Sequence, residues 1–245
     1  MAIDRYSSPA PSSRASHVHD RQPLPARIHH RGEETRGRIL EAAIDLFAAS
    51  GFEGASTRTI AERAGVNLPA IQYYFGSKEG LYRAVVEQFG QEMQAGVAPV
   101  AERIRAELAD GQASRRRLVE LLCNMLDIVI ALILDDSAPN RESRQKFFAR
   151  MEVEPNAAVD ALQDDMIRHV CDPCCAIIGR LIDRPPHDET VLLRAMTLIG
   201  QAKIFCGWGT NRVLHWDTIG DGRIRAAQTI IRQHVQAIFR GARNQ

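Results

Sequence analysis

The sequence predicts an all-α protein, a three-helix head carrying a helix-turn-helix followed by a larger α-helical domain. Three observations carry this expectation. Apolar residues recur at three- and four-residue spacing through most of the chain after residue 32. No segment alternates apolar and polar residues in the strand period, and no internal repeat is present. The stretch from Ser56 to Phe75, STRTIAERAGVNLPAIQYYF, places two short helical segments on either side of a Gly65-Val66-Asn67 turn.

Composition sets the outer bounds. The 245 residues are 45% hydrophobic and 25% charged, enough for one small domain and one larger one. The formal net charge is +1, so bulk charge does not announce a nucleic-acid partner. Residues 33–80 carry seven acids (Glu33, Glu34, Glu41, Asp45, Glu53, Glu62, Glu79) against five bases (Arg36, Arg38, Arg58, Arg63, Lys78). Any attraction to DNA phosphates must therefore be local. No apolar run reaches the ~20 residues that span a bilayer. The five cysteines are odd in number and no secretory signal is visible, so a cytoplasmic protein with reduced thiols is expected.

Residues 1–32 hold Pro9, Pro11, Pro23 and Pro25, several serines and little apolar periodicity, which reads as a disordered tail. Its arginines (Arg5, Arg14, Arg21, Arg27, Arg31) fit either a solvated tail or an arm that follows DNA. Glu33 to Ser50 are expected to form the first long helix, with Ile39, Ala42, Ala43, Leu46 and Phe47 on one face and Gly51 at its end. Thr57 to Ala64 make the second helix, capped by Ser56 or Thr57. Gly65 stands where the chain must turn with positive φ. Asn67 caps the third helix, Leu68 to Phe75. Ile60, Ala64, Val66, Ile71 and Phe75 are spaced to share one small core, leaving Asn67, Leu68, Pro69, Ala70, Gln72, Tyr73 and Tyr74 largely outward. A short helix held across another and showing polar and aromatic side chains fits a DNA major groove.

Ser77 caps a fourth helix bearing Leu81, Tyr82, Val85, Val86 and Phe89, expected to stop or kink near Val97 because of Gly96 and Pro99. Val100 to Asp110 suggest a separate short helix closed by Gly111. Ser114 caps a long helix whose run LVELLCNMLDIVIALILDD, from Leu118 to Asp136, is apolar on most faces and belongs at the centre of the second domain. Asn140 to Val153 form another helix, and a longer one is expected from Pro155 and Asn156 through Ile182, kinked at Pro173. Asp188 to about Gly207, and Asp221 to Arg240, supply two final amphipathic helices.

The residues Thr35 to Phe89, TRGRILEAAIDLFAASGFEGASTRTIAERAGVNLPAIQYYFGSKEGLYRAVVEQF, closely resemble the DNA-binding domain of TetR-type repressors across three helices and the start of a fourth. The form VNLPAIQYYFGSKEGLY is most similar to the CecR-like subgroup, and FFARMEVEP and AMTLIGQAKIFC resemble that subgroup's C-terminal domain more loosely. The resemblance implies a DNA-binding domain over 33–80 and an effector-binding and dimerisation domain over 81–245. It also implies a homodimer on a palindromic double-stranded DNA operator, and repression relieved by a small-molecule effector.

Direct reading and resemblance together single out Thr57, Arg58, Asn67, Gln72, Tyr73, Tyr74 and Lys78 as DNA-side residues. Gln72 suits a base edge through its amide, the tyrosines suit phosphate, sugar or a thymine methyl, and Thr57 and Asn67 sit at helix starts that favour anions. The chain departs from the wider family at Gln72, usually aromatic, and at Leu68, Pro69 and Ala70, often Lys, Gly and Thr. Fewer cations and base readers are thus available, and the target sequence stays open.

For the effector pocket the candidates are Phe89, Met125, Phe147, Phe148, Met151 and Trp208, with Arg150, His169 and Gln201 for polar orientation. Ordinary core packing is the competing explanation for each. Cys171, Cys174 and Cys175 beside His169 allow buried structural thiols or, alternatively, a thiol or metal sensor. Structural zinc wants two ligand pairs, and a second pair is missing from the sequence. Leu192, Leu193, Met196, Ile199, Ile204, Ile224, Ile230, Ile231, Val235 and Ile238 on the last two helices divide between internal core and a partner subunit, which the family pairs as a four-helix interface. No phosphate loop or nucleophile elbow supports an enzyme, and no cofactor is implied.

Overall fold

α1 spans Ala26–Gly54 in a computed structural model of the chain, which describes residues 26–134, 140–151, 153–154, 157–206, 213–215 and 220–240. Most of the expected tail lies outside the described residues, but 26–32 are already helical, so α1 starts ahead of Glu33. Ile39, Ala43, Phe47 and their neighbours bury one face of it. At Gly51 the backbone leaves the helical region (φ 71°, ψ 178°), a conformation glycine adopts without a Cβ clash.

α2 (Thr57–Ala64) and α3 (Leu68–Phe75) follow, then α4 (Lys78–Asp110). α4 corrects the expected break near Val97, because it passes through Pro99 without interruption. Pro99 points to solvent, while Val97, Ala101 and Ile104 are buried in a hydrophobic cluster formed with the next helix. One turn earlier, a Cβ on Gly96 would lie 2.8 Å from a methyl of Leu132, so glycine permits the close approach of the next helix.

That helix, α5 (Arg115–Leu134), lies in the same cluster, with Leu121, Leu122, Met125, Leu126 and Ile130 fully buried. α6 covers Arg141–Met151 and α7 Ala157–Met166. The kink expected at Pro173 takes the form of a π-helical turn over Ile167–Cys171, immediately before α8 (Asp172–Ile182). Proline has no amide for the carbonyl four residues earlier, and the Asp172 amide bonds instead to Ile167, five residues back. α9 (Glu189–Lys203) is capped by Asp188, and α10 (Asp221–Arg240) closes the fold. Among the described residues there is no strand.

Two hydrophobic clusters organise the molecule. One unites α1, α2, α3 and the first half of α4 with Phe147 and Met151 of α6 and Val159 and Leu162 of α7. The other unites the second half of α4 with α5, the π turn, α8, α9 and α10. α4 belongs to both, and α6 and α7 pack on the head.

Candidate nucleic-acid interface

Local chemistry builds the head. α2 ends at Gly65 (φ 64°, ψ 40°), and the Val66 amide bonds back to the Ala61 carbonyl at 3.0 Å, a left-handed helix stop. Arg38 of α1 donates to the Ala64 carbonyl at 3.2 Å, and Arg63 of α2 pairs with Asp45 of α1 at 2.5 Å. Asn67 caps α3 as expected, its Oδ1 accepting from the Ala70 amide at 3.2 Å. Ile60, Ala64 and Ile71 are buried, with Val66 and Phe75 packed around them. Ser56 corrects the capping expectation for α2, since its side chain makes no capping bond. The first amides of α2 and the Ser56 hydroxyl can therefore donate to an anion such as a phosphate.

α3 presents Leu68, Pro69, Gln72 and Tyr73 to solvent on one face, with Leu68 48% and Tyr73 83% exposed. Their spacing of four residues puts an amide and a phenol beside two apolar groups. Tyr74 is different. It is half-buried against the head core, its ring lies edge-on to Tyr73 at 5.0 Å, and its hydroxyl is 3.7 Å from where a Cβ on Gly32 would be. Tyr73 is thus the outer tyrosine and Tyr74 its inner support.

Thr57 is half-buried at the start of α2, and Arg58 is exposed but ion-paired with Glu62 at 3.2 Å. Lys78 turns inward, donating to the Glu53 carbonyl at 3.2 Å with its ammonium 4.7 Å from the Phe52 ring centre. Arg36, not singled out in the sequence, is exposed over the Phe75 ring at 5.4 Å. Its position one turn before the buried Ile39 and Leu40 was the available signal.

This geometry coincides with what the chain is similar to. Residues 39–85 match the profile of bacterial regulatory proteins of the tetR family. Residues 118–242, more than half the chain, match the C-terminal domain of the HTH-type transcriptional dual regulator CecR. The chain belongs to the TetR family of transcriptional regulators. CecR of Shigella flexneri is 27% identical over 214 residues, covering 86% of this chain and 94% of the relative. RutR of Escherichia coli K12 is 40% identical over 98 residues, 34% of this chain and 46% of that one. Among solved structures, the TetR-family regulator PfmR of Thermus thermophilus superposes with a TM-score of 0.56 at 19% identity, covering 84% of this chain and all of that one. This regulator is a DNA-binding protein and not an enzyme.

The described residues expected to line one effector pocket in this TetR-family regulator fall into separate groups in this conformation. Phe89, Phe147 and Met151 are buried in the head-side cluster, with Phe148 packed against it, whereas Met125 is buried in the other. Arg150 bonds to the carbonyls of Ala48 and Ala49 in α1. Gln201 lies 2.8 Å from His234 Nδ1 on α10, within hydrogen-bond distance. Trp208 lies outside the described residues. His169, whose Nδ1 lies 2.9 Å from the Asp165 carbonyl, borders a crevice of about 10 Å³ between α4 and α7, about one water in size. A wider surface cleft of about 410 Å³ lies between Leu108 and the turn at Arg184 and Pro186, away from every candidate.

The thiol and metal alternative has no support. Cys174 and Cys175 are buried and Cys171 half-buried, all as free thiols. Burial first, then the neighbouring Cys171, pushes Cys175 up to about 11, and burial likewise raises Cys171 and Cys174. A sensor needs a ready thiolate, and these sites disfavour it. Among the described residues no group of His, Cys, Asp and Glu could hold a metal ion.

Proposed function

We propose that this regulator is a homodimeric repressor that holds a palindromic operator through two copies of α3 and is released by a small-molecule effector bound in the second domain. Residues 33–80 serve as the reading head and 81–245 as the effector and dimerisation domain, acting in the cytoplasm. No described helix is long and apolar enough to cross a membrane. Gln72 and Tyr73 read bases and backbone. Thr57, Arg58 and Asn67 contact phosphates, while Tyr74 and Lys78 support the head from within.

The observation that carries this proposal is the outward apolar face of α9 and α10. Of the residues expected to divide between core and partner, Ile199, Ile231 and Val235 are buried. Leu192, Leu193 and Met196 of α9 and Ile230 and Ile238 of α10 are exposed, Leu193 and Met196 each by 61%, and Ile204 just past α9 is exposed too. Two exposed helices with apolar stripes fit a twofold-related copy, where the same patch meets itself. Such a dimer presents two α3 helices to half-sites ~34–36 Å apart.

Release follows from α4, which runs from Lys78 beside the head to the second core. A ligand wedged between α4 and α7, where Gly90, Met93, Leu162 and His169 now leave almost no space, would tilt α4 and respace the heads. It acts only to the extent that it prefers that conformation. Selection of genomic fragments bound by the purified protein tests the proposal. A twofold-symmetric protected site, weakened by a metabolite of the neighbouring genes, is expected. Enrichment without sequence preference, or an asymmetric site, would refute it.

A further inference from the structure

The head joins the rest of the molecule at a joint that neither base contact nor dimerisation explains. Where α1 breaks at Gly51, the carbonyls of the preceding turn lose their helical amide partners. Two of them are claimed by one side chain from a distant element: Arg150, in the last turn of α6, donates from Nε to Ala48 at 2.9 Å and from Nη2 to Ala49 at 3.2 Å. Its charge also faces the negative end of the α1 dipole. Glu154 steadies the guanidinium at 3.5 Å.

The fit depends on residue 51. A Cβ there would lie 2.9 Å from Glu154 Oε1 and 3.1 Å from Arg150 Nη1. Gly51 therefore meets two independent demands, a positive φ and an open seat for the Arg150–Glu154 pair. The same face of α6 continues the grip. Phe147 packs between Phe47, Tyr82 and Phe89, with ring centres 6.3, 5.5 and 5.4 Å away. Arg144 pairs with Glu92 of α4 and lies 4.3 Å over the Phe89 ring. Lys78, at the start of α4, holds the Glu53 carbonyl. Everything between Gly51 and Ala55, the segment that leads into α2, is thereby clamped.

We infer that Arg150 is a positioning residue for DNA recognition, closing the broken end of α1 onto α6 and so fixing the head against the second domain. This rests on the proposal that α3 enters the groove. A head loosened at this joint still meets phosphates, but two loosened heads no longer keep a set spacing. Specific affinity should fall more than non-specific affinity.

The test compares full-length wild type, Arg150→Ala and Arg150→Lys. Hydrogen exchange is followed at the Ala55 amide, which bonds to the Gly51 carbonyl at 3.3 Å. Affinity is measured for a genomic fragment selected with the wild-type protein and for a shuffled duplex of equal length. Arg150→Ala should stay folded and dimeric, exchange about tenfold faster at Ala55, and lose about tenfold in specific affinity with shuffled-duplex binding unchanged. Arg150→Lys, with a charge but no fork for two carbonyls, should fall between. Unchanged exchange, or faster exchange with specific affinity intact, overturns the inference. Gln72→Ala separates the two levels: it should weaken specific binding while Ala55 exchanges at the wild-type rate. If Gln72→Ala leaves binding intact while Arg150→Ala weakens it, the joint stands and the α3 assignment fails.

Discussion

Two adjacent tyrosines on α3 have the same chemistry and different work. Tyr73 is open to solvent, and Tyr74 leans on the head core beneath it. Replacing Tyr73 by Phe, or Gln72 by Ala, should cost about 1–3 kcal/mol of operator affinity with the melting temperature unchanged. Tyr74→Ala should lower the melting temperature as well, because it removes packed area from the head. Gel shifts and thermal melts on the same samples distinguish the two outcomes. Asn67→Ala removes the Oδ1 that holds the Ala70 amide, and about 1 kcal/mol of stability should go with it. Equal stability in denaturant titrations would show that the cap is dispensable.

At the scale of elements, continuity and breaks were hardest to anticipate. Pro99 signalled an end to α4, yet its ring points to water and buried neighbours on both sides keep the helix running. Pro99→Ala should therefore stabilise the protein, by up to about 3 kcal/mol if the helix already carries the full interior proline cost. A lower melting temperature would show instead that the proline ring itself is needed for packing. Pro173 did perturb its helix, by adding a residue to the turn at Ile167–Cys171. The caps and turns at Gly65, Asn67 and Ser77 were legible in the sequence because each depends on a few adjacent residues. The seat for Arg150 was not, since its two halves lie about 100 residues apart and no local pattern couples them. The cysteines illustrate the same limit: their spacing suggested a sensor, and burial decided otherwise. At pH 8, below the raised value of about 11 for Cys175, its thiolate fraction should be small, so native protein should react with a chromogenic disulfide far more slowly than denatured protein. Comparable rates in both states would return the cluster to consideration.

The described residues form two hydrophobic clusters sharing α4, with α6 and α7 clasping the head. This arrangement makes the angle of α4 a property of both clusters at once. It also leaves Leu192, Leu193 and Met196 of α9 and Ile230 and Ile238 of α10 exposed. Leu193→Glu with Met196→Glu places two charges on that face, and light scattering should then report a monomer whose operator affinity is lost while each head stays folded. A dimer persisting in this variant would locate the interface elsewhere. Because the head is formally slightly acidic, operator binding should also fall less steeply with salt than in strongly basic DNA-binding proteins.

The sequence by itself determined the helical class, the helix-turn-helix and the family, because helical period, glycine and asparagine turns and motif spacing act over a few neighbouring residues. Tertiary structure alone decided which tyrosine faces outward, that Lys78 turns inward, that the pocket candidates separate into two cores and that Arg150 seals α1. Each of those outcomes depends on which distant surfaces exclude water together. Such a choice is made only when the whole chain is packed.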